Sequence, residues 1–300
     1  MFTQRSRRQQ NYGVYLLAYH LLNSEYIPPV TLGTILFQVA IFLGYIPAID
    51  QWKIREMCLL PSRIIYRREW IRLLASTVIH ADDMHLYYNM ISFLWKGRRL
   101  ESFLGPLRFL ILISVFIVST GVCVVMLSYL LEVILGFHAL QLMSQCAVGF
   151  SGVIFALKVL HNYYFPYTDS SFLGWFPIPS RYTCWVELLL IQVLTPNASF
   201  IGHLAGIIVG LLYVNGPLKA LICWLENLTA ILLGIRTDRN RFFQTRRDGS
   251  HFWSFDASEE RDYSEFTAGM SEEEQLRFAR EESLRRRYQN SPTAPPYPPY

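Results

Sequence analysis

The sequence predicts an all-α membrane protein, a six-transmembrane-helix bundle followed by a largely disordered C-terminal tail. Two observations carry this prediction. Hydrophobic residues make up 52% of the chain and charged residues 17%, and much of that charge lies beyond residue 236, which leaves the first 235 residues more apolar still. Within those 235, predominantly apolar runs recur at lengths approaching the about 20 residues that a helix needs to cross a bilayer.

Residues 1–27 are expected to form a cytosolic N-terminal segment. They carry Arg5, Arg7 and Arg8, and the apolar stretch Val14 to Leu22 is short and broken by His20. No small-residue cleavage site follows it, so no removable signal peptide is evident. The six expected spans are Pro29 to Ile46, Met84 to Trp95, Leu107 to Leu131, Ala147 to Phe165, Cys184 to Leu194 and Ser199 to Val214. The second and fifth are short, and flanking Ile79 and Trp175 to Pro179 can lengthen them. Breakers such as Pro47, Gly105-Pro106, Pro166, Pro196 and Gly216-Pro217 separate the runs. Leu218 to Ile235 is apolar but interrupted by Lys219 and Glu226, which suits a helix lying in the interface.

Orientation follows from basic residues. The N-terminal arginines, the Lys96/Arg98/Arg99/Arg108 connection, the Lys158/Arg181 flanks and the Lys219/Arg236 exit fall on one side of a six-span bundle, marking it as cytosolic. Both termini then face the cytosol. The first loop, with Lys53, Arg55, Arg63, Arg67, Arg68 and Arg72, runs against this bias. The five cysteines are odd in number and widely spaced, mostly within apolar runs, and are expected to be free thiols.

The tail, 236–300, is rich in Arg, Asp, Ser and Gln and shows no sustained apolar period. One part differs. Ser271-Glu272-Glu273-Glu274 reads as a capping box opening a helix that runs to about Arg287. Beyond it, Ser291 to Tyr300 is a Pro/Tyr stretch that favours extended polyproline backbone.

Polar groups inside apolar runs are expensive, and each is therefore a functional hypothesis. Gly149-Phe150-Ser151-Gly152 opens the fourth span, His203 lies in the sixth, and His85 and Asn89 lie in the second. Spans two, four and six all start at one face, which brings these residues to one depth. Ser151 lies six residues past Gln145 and His203 six past Asn197, about 9 Å of helical rise below that face. Gly202, Gly206 and Gly210 recur every fourth residue and give the sixth span a smooth ridge, opposite Gly152 and Ala156 on the fourth. That packing can bring a hydroxyl within reach of an imidazole, the pairing of a nucleophile with its base. His85 and Asn89 share a helix face and, with amides at the start of span four where Gly149 permits close approach, are candidate donors to a developing oxyanion.

Structural readings compete with this. A membrane serine often bonds its own helix backbone, and glycine ridges often only pack. A metal site from His80, His85 and His203 has no H-E-x-x-H motif behind it, and neither a metal nor another cofactor is expected. No intramembrane carboxylate completes a triad, since Glu187 lies near the opposite face, so a dyad fits better.

Together these residues resemble the rhomboid intramembrane serine proteases. The resemblance spans about residues 28–217 and rests on Glu69 and Arg72, His85-Leu86-Tyr87-Tyr88-Asn89, Gly149-Phe150-Ser151-Gly152, and Gly202-His203-Leu204-Ala205-Gly206 with Gly210. It implies Ser151 as nucleophile, His203 as general base and acid, His85 and Asn89 at the oxyanion, and Glu69 and Arg72 bracing the first loop. Phe155, one turn after Ser151, replaces a tyrosine common in bacterial relatives and is expected to pack under the imidazole.

The similarity is greatest to an endoplasmic-reticulum branch of the family that works in membrane-protein degradation. It implies transmembrane protein substrates, contact with membrane lipid, and ubiquitin binding by a tail helix presenting Leu276, Ala279 and Ser283. An Arg-rich segment that engages a AAA-type ATPase in that branch is not recognisable beyond Arg285 to Arg287. Nucleic acid has no place in this reading. A non-catalytic membrane adaptor for ubiquitinated clients is the rival from another class.

Overall fold

Prolines set where the helices start. Pro29, Pro61, Pro106 and Pro217 each open a helix, a position where the missing N–H costs nothing and the fixed φ is already helical. A computed structural model of the chain describes residues 11–46, 49, 54–166, 171–172, 176–177 and 180–233. Among them the fold is helical apart from a two-residue pairing of β1 (Ser171–Phe172) with β2 (Phe176–Pro177) and a single antiparallel bridge between Leu59 and Ala147. The expected tail helix 271–287 lies outside the described residues.

The helices are α1 (Tyr12–Leu22), α2 (Pro29–Phe42), α3 (Ile54–Met57), α4 (Pro61–Arg67), α5 (Arg72–Val78), α6 (Asp83–Leu104), α7 (Pro106–Tyr129), α8 (Ser151–Tyr164), α9 (Ser180–Leu194), α10 (Phe200–Val214) and α11 (Pro217–Leu233). Each expected span has its helix. The run Pro106–Ile134, α7 with a π-helical turn after it, is long and apolar enough to cross a membrane alone; α10 and α11 reach that length only together. The helix α6 extends well past Trp95, because Lys96, Arg98, Arg99 and Glu101 continue the helix while ending the apolar run.

At the centre, Phe93 of α6, Phe109 and Phe116 of α7, Phe150 before α8 and Tyr213 of α10 are buried together, with Phe93 edge-on to Phe150 and Phe116 edge-on to Tyr213. The start of α2 is capped from a distance. Pro28 has no capping side chain, and Glu101, 2% exposed, accepts the N–H groups of Val30 (2.9 Å) and Thr31 (2.7 Å) and the Thr31 hydroxyl. A carboxylate there satisfies orphan amides and meets the positive end of the helix dipole.

Two features differ from the sequence reading. Within the N-terminal segment, where no bundle helix was expected, α1 lies along α6 and runs parallel to it. The Gly13 N–H donates to Asp83 Oδ2 at 3.1 Å, and His20 Nε2 lies 3.2 Å from the Tyr87 hydroxyl. A Cβ on Gly13 would stand 2.2 Å from the Asp83 carbonyl oxygen, so glycine is what lets the two backbones touch. The start of α1 therefore shares an end of the bundle with the start of α6.

The second correction concerns the cysteines. Cys58, at the end of α3, and Cys146, ahead of α8, form a disulfide with their Cα atoms 5.4 Å apart; Cys123, Cys184 and Cys223 remain thiols. Cys58 and Cys146 lie in connections that meet at one end of the bundle, whereas the sequence reading treated the cysteines mainly as residues of apolar runs. The helix expected at the interface, 218–235, is α11, bent by 71° from α10. Arg108 of α7 holds it through Glu226 (3.3 Å) and Cys223 Sγ (3.2 Å).

Candidate active site

The site is assembled where α6, α8 and α10 begin. Asp82 caps α6 by accepting the His85 N–H at 2.8 Å, and Ser199 caps α10 by accepting the Gly202 N–H at 3.1 Å. Both caps were legible as an Asp and a Ser directly before a helical run, and the sequence reading passed over them. They fix the first turns on which His85 and His203 ride.

Between α8 and α10 the glycines permit contact of backbone with backbone. A Cβ on Gly206 would lie 2.1 Å from the Gly152 carbonyl oxygen, and one on Gly210 would lie 2.9 Å from that of Ala156. Where lipid surrounds a bundle, apolar burial does not drive helices together, and such close dispersion contact takes its place. The result is an approach of 3.0 Å between His203 Nε2 and Ser151 Oγ, the contact expected from their equal depth. His203 is 6% exposed, and its ring stacks on Phe155 with centroids 4.7 Å apart. Its Nδ1 has no hydrogen-bond partner among the described residues, so the pair is a dyad as placed. Glu187 pairs with Lys158, between α9 and α8, away from His203.

The chain before Ser151 is shaped by Gly149, whose φ of +109° L side chains rarely adopt. Its N–H donates to the Ser76 carbonyl at 2.8 Å. That amide is occupied, so the contribution of Gly149 is space and backbone shape. A Cβ there would strike the His85 ring, 2.8 Å from Nε2, and would come 3.8 Å from Asn89 Nδ2. His85 and Asn89 thus converge on the hollow beside Ser151, as their spacing suggested. His85 Nδ1 accepts the Ala81 N–H at 3.2 Å, which assigns the ring proton to Nε2 and makes that atom a donor toward the hollow. One hydrogen of the Asn89 amide goes to the His85 carbonyl at 2.8 Å, leaving a second to give.

Loop 1, from α3 to α5, closes over this end. Glu69 binds Arg72 and Arg63, and the Arg72 guanidinium, 5% exposed, reaches the carbonyls of Cys58 (2.9 Å) and Arg55 (3.2 Å). The Arg72 hydrogen bond holds the Glu69 carboxyl below its ordinary range. Gly202 borders the dyad, and a Cβ there would meet the Ser199 side chain, 3.2 Å from its hydroxyl and 3.4 Å from its Cβ. Leu276, Ala279 and Ser283 lie outside the described residues. Ser76, Asp82, Ser199 and the Cys58–Cys146 pair are the site-supporting residues that sequence reasoning missed. Chemically, the hollow offers a hydroxyl next to a base, two side-chain donors, and the first-turn amides of α8, which have no acceptor within the helix.

Comparison with known proteins gives this arrangement a context. A family model described as the Rhomboid domain matches residues 67–218. The chain is 40% identical over 303 residues to rhomboid-related protein 4 of Homo sapiens, covering 98% of this chain and 93% of that protein. It is 39% identical over 291 residues to the Mus musculus protein of the same name, covering 94% and 89%. Rhomboid-like protein 14, mitochondrial, of Arabidopsis thaliana is 37% identical over 192 residues, 63% of this chain and 56% of that protein.

Proposed function

The chain belongs to the rhomboid family, and from that premise we propose that it is an intramembrane serine endopeptidase working through a Ser151–His203 dyad. The observation that carries the proposal is the 3.0 Å approach of His203 Nε2 to Ser151 Oγ across the α8–α10 glycine contact. His203 takes the serine proton as Oγ attacks a carbonyl of the substrate chain. The oxyanion forms in the hollow lined by His85 Nε2–H, the Asn89 amide and the first-turn amides of α8. His203 then protonates the leaving amine, and water repeats the sequence to release the acyl group.

Substrates are membrane helices. Their carbonyls are bonded internally, so helices that unwind readily at Gly, Pro or polar residues are cleaved preferentially. The setting is the endoplasmic-reticulum membrane, in the removal of faulty membrane proteins, with the site facing the lumen. Support for that face comes from Cys58–Cys146, because disulfides persist in oxidising compartments. Ubiquitinated clients are the partners of the tail.

The test is co-expression with a candidate substrate in cells. Ser151→Ala is expected to abolish the cleavage fragments while leaving expression and membrane insertion unchanged, and a serine-reactive probe is expected to label wild type only. Fragments that persist in the variant refute the dyad. A chain that is never labelled yet still removes clients is the non-catalytic adaptor.

A further inference from the structure

The disulfide lies on a direct path between loop 1 and the hollow beside Ser151. Next to it, Leu59 and Ala147 exchange both backbone hydrogen bonds, at 2.9 and 3.0 Å. Two residues further on, Gly149 donates to Ser76 and lies under the His85 ring. On the other side, the Cys58 carbonyl is held by Arg72, which Glu69 orients. The segment from Gln145 to Phe150 belongs to no helix, and these contacts are its anchors. The covalent link spans 88 residues of sequence and is the strongest of them. Cys58 is 1% exposed, whereas Cys146 is exposed, so an incoming thiolate meets the bond from the Cys146 side.

We propose that Cys58 and Cys146 are positioning residues whose disulfide makes the Ser151 site redox-sensitive: oxidised, the bond holds the Gly149 backbone against His85; reduced, the hollow loosens. The proposal rests on the protease reading. A protein or small-molecule dithiol supplies two electrons and two protons. One of its thiolates attacks the Cys146 sulfur, the sulfur–sulfur bond breaks, and Cys58 leaves as thiolate and is protonated. The second dithiol sulfur then displaces Cys146, giving two cysteine thiols and an oxidised dithiol. The dyad itself is spared, because Ser151 is carried by α8 and His203 by α10, whose contact lies below the latch. What moves is the backbone next to the oxyanion donors, where misplacement by about 1 Å can cost about 100-fold in rate.

The full-length protein in lipid vesicles is treated with dithiothreitol and then re-oxidised, beside Cys58→Ser/Cys146→Ser. Maleimide-polyethylene-glycol gel shifts count the thiols, hydrogen exchange follows residues 145–152, and turnover of a transmembrane substrate is split into kcat and KM. Reduction is expected to expose two further thiols, speed exchange in that segment and lower kcat about 10- to 100-fold with KM little changed. Re-oxidation is expected to restore the rate, and the double variant is expected to be slow and indifferent to dithiothreitol. Unchanged exchange and kcat after both thiols appear overturn the proposal, as does a wild type in which all five thiols react before reduction. A double variant that keeps the wild-type kcat overturns it equally. Faster exchange on reduction in a wild type that never cleaves leaves the latch standing and sinks the protease reading instead.

Discussion

A single methyl group probes the contact on which the dyad depends. Gly206→Ala sets a Cβ against the Gly152 carbonyl, a backbone atom that cannot swing aside. The variant is expected to lose about 1–3 kcal/mol of stability and most of its turnover, read by thermal melting and fragment release. Gly33→Ala on α2 has nothing within 4 Å of the added carbon, and is expected to be neutral or stabilising by up to about 1 kcal/mol. Equal melting of the two variants would refute the tight contact. Phe155→Ala removes the ring under His203, and is expected to lower kcat about 10-fold with KM nearly kept, whereas Phe155→Tyr retains the stack. At this scale the sequence was informative wherever a polar or small residue stood out against apolar neighbours, as Ser151, His203 and the Gly202/Gly206/Gly210 ridge do. The acceptor for Gly149 was illegible, since the Ser76 carbonyl is a backbone atom that every residue type supplies.

Helix starts and loop 1 hold their own tests. Asp82→Ala leaves the first turn of α6 without its cap, at a cost of about 0.5–2 kcal/mol, and frees the turn that carries His85. Thermal melting checks the first effect and the rate of probe labelling the second. In loop 1, Glu69 has its carboxyl held below the ordinary value of 4.5, first by the Arg72 hydrogen bond. A lowered folded value means stabilisation that is complete above the ordinary range and is lost as pH falls through the lowered one. The melting difference between wild type and Glu69→Gln is therefore expected at neutral pH and to vanish in acid. Persistence of that difference in acid would show that the ion pairs are not its source. The long helices were legible because apolar runs between prolines are local signals, while the far half of α6 was not, since its charges continue the helix beyond the apolar part. The short helices α3, α4 and α5 gave no signal, being brief, charged, and shaped by Arg72 and the disulfide.

Over the whole bundle, helix length sets a relation to the bilayer. The helices α2, α8, α9 and α10 have 14 or 15 residues each. At 1.5 Å per residue they are about 21–23 Å long, short of the about 30 Å of a typical hydrocarbon core. Mismatch of this kind is relieved by local thinning, at fractions of a kcal/mol per Å. Turnover is expected to rise in vesicles of shorter acyl chains, and a rate indifferent to chain length would argue against the mismatch. The all-helical order of the molecule was readable in advance, because each breaker and each apolar run is local. The place of α1 was not, because a short apolar stretch interrupted by His20 shows its partner only through the close approach of Gly13 to Asp83.

That approach has a practical corollary for mapping the protein. With Gly13 fastened to the head of α6, the first turn of α1 lies at the same end of the bundle as loop 1. A cysteine placed at exposed Tyr12 is therefore expected to react with a membrane-impermeant maleimide from the same side as one placed at exposed Tyr66 of loop 1.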